Sequence, residues 1–97
     1  MPNGMPPVHP GEVLEQELEE LALSANAFAK ALGVPTNRIT AILRGTRGVT
    51  ADTALRLGRY FGTSPRFWLN LQQSYELKIT EQRSGKTIEA TVKPRAA

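Results

Sequence analysis

Between Arg38 and Arg66 the chain carries six arginines, Arg38, Arg44, Arg47, Arg56, Arg59 and Arg66, against one acid, Asp52. A guanidinium is permanently charged and offers a planar fork of donors that fits a phosphate or the edge of a guanine. An arginine cluster of this kind suits contact with nucleic acid better than a spread of solubilising lysines would. The first 36 residues have the opposite balance, with Glu12, Glu15, Glu17, Glu19 and Glu20 against Lys30 alone. The overall charge of +3 therefore hides a polarised chain, acidic at its start and basic in its middle.

No catalytic pattern accompanies the arginines. The chain has no cysteine, which excludes thiol catalysis, disulfides and cysteine-ligated metal, and suits a reducing compartment. Its single histidine, His9, has neither a second histidine nor a carboxylate cluster at ligand spacing, so no metal site is expected and His9 reads as fixing the chain before Pro10. No nucleophile, base and orienting group fall in a usable pattern, and no phosphate-cradling glycine loop exists. The expectation is a binding protein without cofactor rather than an enzyme. The start, MPNGMPPVHPG, has no basic flank or apolar run of the kind that marks a signal peptide or membrane span, so a soluble, cytoplasmic protein is expected.

The elements that would position these side chains are helical. Ninety-seven residues fit one small domain with a modest core. Val13, Leu14, Leu18 and Leu21 recur at helical spacing after Pro10 and Gly11, with the glutamates opposite. Ser24 is an N-cap for a short second helix carrying Phe28, Ala29 and Leu32, and Gly33 supplies its stop. Pro35 opens a third helix, TNRITAILR, with Ile39, Ile42 and Leu43 inward and Gly45 at its end. Thr50 caps a fourth helix ending at Gly62, and Ser64 with Pro65 starts a fifth that carries Phe67, Trp68, Leu71 and Tyr75. From Lys78 onward the β-branched Ile79, Thr80, Thr87, Ile88, Thr91 and Val92, with Ser84 and Gly85, weaken the pattern. A frayed helix extension, a hairpin and an arm that pairs with another chain all fit this stretch; a helix to about Glu81 followed by an extended arm is favoured.

Two short helices that meet near right angles need a small residue at their contact, a turn residue tolerant of left-handed backbone, and branched apolar anchors on the second helix. Ala29, Gly33, Ile39 and Ile42 provide these in order, and the spacing resembles the helix-turn-helix of lambda repressor-like proteins. Excluding the inward side chains of the third helix leaves Thr36, Asn37, Arg38, Thr40, Ala41 and Arg44 to face a major groove. Asn37 fits an adenine edge, the threonines and Ala41 fit a base or a thymine methyl, and the arginines fit guanine or phosphate. Ser24, Asn26, Thr46, Arg47 and Thr50 are the candidates for gripping backbone phosphate, although Ser24 and Thr50 are equally accounted for as caps.

HPGEVL at 9–14, LGVPTNRITAILRGTRGVTADTALRL and FGTSPRFWLNLQQSYEL together resemble the HigA antitoxin family, a branch of the XRE-type regulators, over residues 8–77. The resemblance implies an all-α, five-helix, lambda repressor-like DNA-binding domain. It also implies a homodimer that represses its own operon and neutralises a HigB-like mRNA interferase. The expected organisation is a flexible arm at 1–9, the helix-turn-helix domain at 10–77 and a C-terminal extension at 78–97. Ala25 departs from the glutamine common in relatives, which leaves Asn26 as the contact at the start of the second helix.

A dimer is also reasonable physically, because one recognition helix reads only a few base pairs. Phe67, Trp68, Leu71 and Tyr75 are expected at its interface, although Phe67 and Trp68 are equally accounted for as filling the domain's own core, and recognition helices are expected about 34 Å apart on a palindromic site. Glu12, Glu15 and Glu19 are poorly placed for DNA and would attract a basic toxin; equally, they would form an ordinary solvated helix face. Two other readings stay open: a stand-alone repressor without a toxin, and an interaction domain that has lost DNA binding.

Overall fold

The computed structural model describes residues 6–96. Residues 1–5, most of the expected N-terminal arm, lie outside the described residues. Five helices follow one another with short connections: α1 (Pro10–Leu21), α2 (Ala25–Leu32), α3 (Thr36–Leu43), α4 (Ala51–Phe61) and α5 (Pro65–Thr91). No strand occurs among the described residues, so the all-α expectation holds. None of these helices is long and apolar enough to cross a membrane.

Local chemistry sets most of the boundaries. Ser24 Oγ accepts the N–H of Ala27 at 3.1 Å, Thr50 accepts from Thr53, and Ser64 accepts from Arg66, which gives α2, α4 and α5 side-chain caps. Gly33 and Gly62 close α2 and α4 in the left-handed conformation. Pro35 stands just before α3, as its cap, rather than inside the first turn. The helix α1 begins earlier than its apolar pattern does, at Pro10, because His9 caps it. The Nδ1 of His9 accepts from Gly11 N–H at 2.9 Å while the Glu12 carboxylate accepts from His9 N–H at 3.0 Å, a reciprocal capping box. The sequence motif HPGE is this cap.

One apolar core is built from Leu14 and Leu18 of α1, Phe28, Ala29 and Leu32 of α2, Ile39 and Ile42 of α3, Val49, Ala54 and Leu57 around α4, and Trp68 of α5. Phe61 and Trp68 stack at a centroid distance of 5.9 Å and join α4 to α5. Leu21, expected inward, is exposed instead, at the last residue of α1.

Two sequence expectations are corrected. First, α5 continues without a break to Thr91, so an extended arm is confined to residues 92–96. Threonine and isoleucine cost a helix only a few tenths of a kcal/mol each and one glycine about 1 kcal/mol, and an already nucleated helix carries that. Thr91 Oγ1 also donates to the Thr87 carbonyl one turn back at 2.6 Å. With 27 residues α5 is about 40 Å long, and it stretches the molecule to 53 × 23 × 22 Å. Second, Trp68, expected at a dimer interface, is 2% exposed and fills the core of its own domain. Of its predicted companions, Leu71 is half-buried against that core, Tyr75 is half-buried with its ring edge-on to His9 at 4.8 Å, and Phe67 is 46% exposed.

Candidate nucleic-acid interface

The turn between α2 and α3 has the form its residues dictate. Gly33, at φ +73°, donates to the Lys30 carbonyl at 3.1 Å and Val34 N–H donates to Ala29 at 3.0 Å, a pair of bonds that reverses the chain within two residues. Pro35 then fixes an extended backbone and releases the chain into α3. Ile39 and Ile42 are fully buried, so the opposite side of α3 is set by exclusion and held rigidly. Gly11 deepens that anchoring: a Cβ there would collide with the Ile42 carbonyl oxygen, so α1 approaches the end of α3 as only a glycine permits.

On the outward side, Asn37 is exposed, and Thr40 and Ala41 are half-buried on the same helix. Thr36 Oγ1 donates to Asn26 Oδ1 at 2.8 Å and ties the first turn of α3 to the first turn of α2. Thr40 Oγ1 reaches its own helix, at the Asn37 carbonyl. Arg44 is exposed at the end of α3, near His9, Glu12 and Tyr75. In the following loop, Thr46 bonds through both N–H and Oγ1 to the Ala41 carbonyl, at 3.0 and 3.2 Å, and Arg47 is exposed. Neither Arg44 nor Arg47 forms an ion pair among the described residues. Ser24, Asn26, Thr46, Arg47 and Thr50 all lie exposed.

Arg38 differs from the sequence expectation. Its guanidinium pairs with Asp52 in the first turn of α4, and the Arg38 side chain is only 25% exposed. Asp52 also accepts from Arg56 Nε at 3.0 Å, and Arg56 in turn donates to the Leu32 carbonyl at 2.8 Å. The chain of contacts runs from α3 through α4 to the end of α2. Hydrogen bonds from Arg56 and Arg38 hold the Asp52 carboxyl below its ordinary range.

Three further residues position the interface without a signal in the helical pattern. Gln72 of α5, almost fully buried, accepts the Val49 N–H through Oε1 and donates through Nε2 to Glu76 at 2.9 Å. His9 packs beneath the loop after α3, with its ring 3.9 Å from where a Gly45 Cβ would lie. Burial lowers the pKa of His9, while the Glu12 carboxylate and the Arg47 backbone oppose the shift. Asp52 could be read in the sequence as a helix-dipole acid, but not as the partner of Arg38, 14 residues away. Among the predicted toxin contacts, Glu12 is engaged in the α1 cap, whereas Glu15 and Glu19 are exposed along α1.

A short α2, a tight left-handed turn and an α3 anchored by two buried isoleucines define a helix-turn-helix protein of the lambda repressor-like class. The helix-turn-helix family matches residues 14–68. The chain is 57% identical over 81 residues to virulence-associated protein I of Dichelobacter nodosus, covering 82% of this chain and 75% of that one. It superposes on an addiction module antidote protein of the HigA family from Coxiella burnetii with a TM-score of 0.91 at 58% identity, over 94% of this chain and 100% of that one. It superposes as well on Pseudomonas aeruginosa antitoxin HigA, solved with the higBA promoter, with a TM-score of 0.89 at 46% identity, over 93% and 99% of the two chains. The chain belongs to the helix-turn-helix family and, within it, to the HigA antitoxins.

Proposed function

We propose that this protein is a DNA-binding repressor and antitoxin that binds the operator of its own operon as a homodimer and neutralises a HigB-like mRNA interferase in the cytoplasm. It acts by binding and not as an enzyme. The observation that carries the reading is the exposed side of α3, presented by buried Ile39 and Ile42 and flanked by Arg44 and Arg47 without ion-pair partners among the described residues. The similarity to an antitoxin solved with promoter DNA supports it.

In this reading α3 enters the major groove, and Asn37, Thr40, Ala41 and Arg44 face bases, with Thr36 beside them. Ser24, Asn26, Arg47, Thr46 and Thr50 lie along the flanking phosphates, where helix N-termini and a guanidinium meet negative charge. Dimerisation uses α5. Phe67, Leu77 and Ile88 are its exposed large apolar side chains, and Leu77 and Ile88 share one side of the distal half with Gly85 and with Val92 just past the helix end. Glu15 and Glu19 offer the basic toxin an acidic face on α1.

Footprinting on the DNA upstream of its own gene tests the first part. The expected result is protection of two half-sites whose centres are about 34 Å apart, one helical turn; protection no different from that of unrelated DNA contradicts it. Co-purification with the toxin tests the second. Wild-type protein retains the toxin and the E15K/E19K variant releases it; equal retention by both removes α1 from the contact.

A further inference from the structure

The basic segment 37–66 contains six arginines and one acid, and that acid is shared between Arg56 of its own helix and Arg38 of α3. The direct tie of α4 to α2 is made by Arg56, which donates to the Leu32 carbonyl at 2.8 Å and, within α4, through Nε to Asp52 at 3.0 Å. Asp52 takes a second arginine, Arg38, from the third position of α3, next to exposed Asn37. A free guanidinium at that place would reach phosphate on any duplex, since phosphate contacts carry no sequence information. We propose that Asp52 is a specificity-determining positioning residue: by holding Arg38 against α4 it withdraws a cation from the recognition helix and so lowers affinity for non-operator DNA. The inference rests on the DNA-binding reading of α3. It adds that discrimination depends on a residue that touches no base, through an internal ion pair that competes with phosphate for Arg38.

The competition sets the direction of each effect. Removing the carboxylate releases Arg38, and one added phosphate contact steepens the slope of log K against log salt by about 0.9. Affinity for a duplex of scrambled sequence then rises about fivefold near 0.15 M salt, the factor that slope gives. Operator affinity rises less, because Arg44 and the loop already occupy the neighbouring phosphates, so the ratio of operator to scrambled binding falls. Removing Arg38 instead removes a cation that is already withheld, and binding changes little.

The test measures binding of the full-length protein to two duplexes, the DNA upstream of its own gene and a scrambled sequence of equal composition, between 0.05 and 0.3 M salt, about the range that resolves such slopes. Wild type, D52A, R38M and D52A/R38M are compared. The expected outcome is a steeper salt slope and a reduced operator preference for D52A, reversion of both in the double variant, and R38M within twofold of wild type. If D52A weakens binding to both duplexes with an unchanged slope, Asp52 is a structural tie and the proposal fails. R38M supplies a second measurement that does not depend on D52A folding: a large loss of operator binding shows that Arg38 contacts DNA from its bridged position, which also overturns the proposal. Absence of operator preference in the wild type overturns the DNA reading beneath both.

Discussion

Gln72 Oε1 accepts the backbone N–H of Val49 at 2.7 Å in a buried contact between residues 23 apart in sequence. The bond fastens the loop after α3 to the first half of α5, so the exposed Thr46 and Arg47 stand on a fixed base. Replacing Gln72 with leucine keeps the volume but leaves the Val49 N–H buried without a partner, at a cost of about 1–3 kcal/mol. Urea denaturation of Q72L is expected to show that loss, with DNA affinity falling alongside it.

The contact of α1 with α3 is the least tolerant of added volume. A methyl group at Gly11 would overlap the Ile42 carbonyl, a backbone atom that cannot swing aside. G11A is expected to destabilise the fold by about 1–3 kcal/mol, the range for overpacking. A melting temperature equal to that of wild type would show that α1 sits further from α3 than described.

At the end of α1, Ala22 adopts φ +54° and is the described non-glycine residue with left-handed backbone. It is held there by its own N–H to Glu19 at 3.1 Å and by Leu23 N–H to Leu18 at 3.0 Å. Glycine removes the steric cost of about 1–2 kcal/mol and loses part of that gain to the greater freedom of its unfolded chain. A22G is expected to be more stable by about 0.5–1 kcal/mol, read as a higher urea midpoint.

Folding stability depends on pH through His9. Burial places its folded-state pKa below the ordinary value of 6.5, against the opposing pull of the Glu12 carboxylate and the Arg47 backbone. The neutral ring, whose Nδ1 caps α1, is therefore the form that folding favours. Its contribution is complete above pH 6.5 and is lost as pH falls below that value through the folded pKa. Melting temperature is expected to drop between pH 7.5 and 5.5, about the window in which histidine alone titrates. H9N, which keeps a capping acceptor but does not titrate, flattens that dependence; an equal slope in H9N would assign it to other groups.

The sequence displayed the fold wherever the cause was local. Ser24, Thr50 and Ser64 as caps, Gly33 and Gly62 as stops, and the inward spacing of Ile39 and Ile42 are each legible within one or two turns of chain. What escaped was of two kinds. Weak propensity misled at the tail, where β-branched residues suggested an extended arm although α5 was already nucleated and continued. Tertiary partners were invisible elsewhere. Trp68 turns into its own core, and Arg38 satisfies the rule for an outward residue on α3 yet meets Asp52 from the next helix. Nothing local to Gln72 marks it as the support of a loop 23 residues away. Only the HPGE motif held a local clue that the helical periodicity passed over, since its histidine and glutamate form a complete capping box.

The proposed division of labour, with α3 reading bases and the following loop holding phosphate, is tested most directly by comparing N37A with R47A. Both are measured on the upstream duplex and on point variants of it across a salt series. N37A is expected to lose about 1–3 kcal/mol of discrimination at one base pair with an unaltered salt slope. R47A is expected to weaken every duplex alike and flatten the slope by about 1. Indistinguishable effects of the two substitutions on base preference and on salt slope would contradict that division.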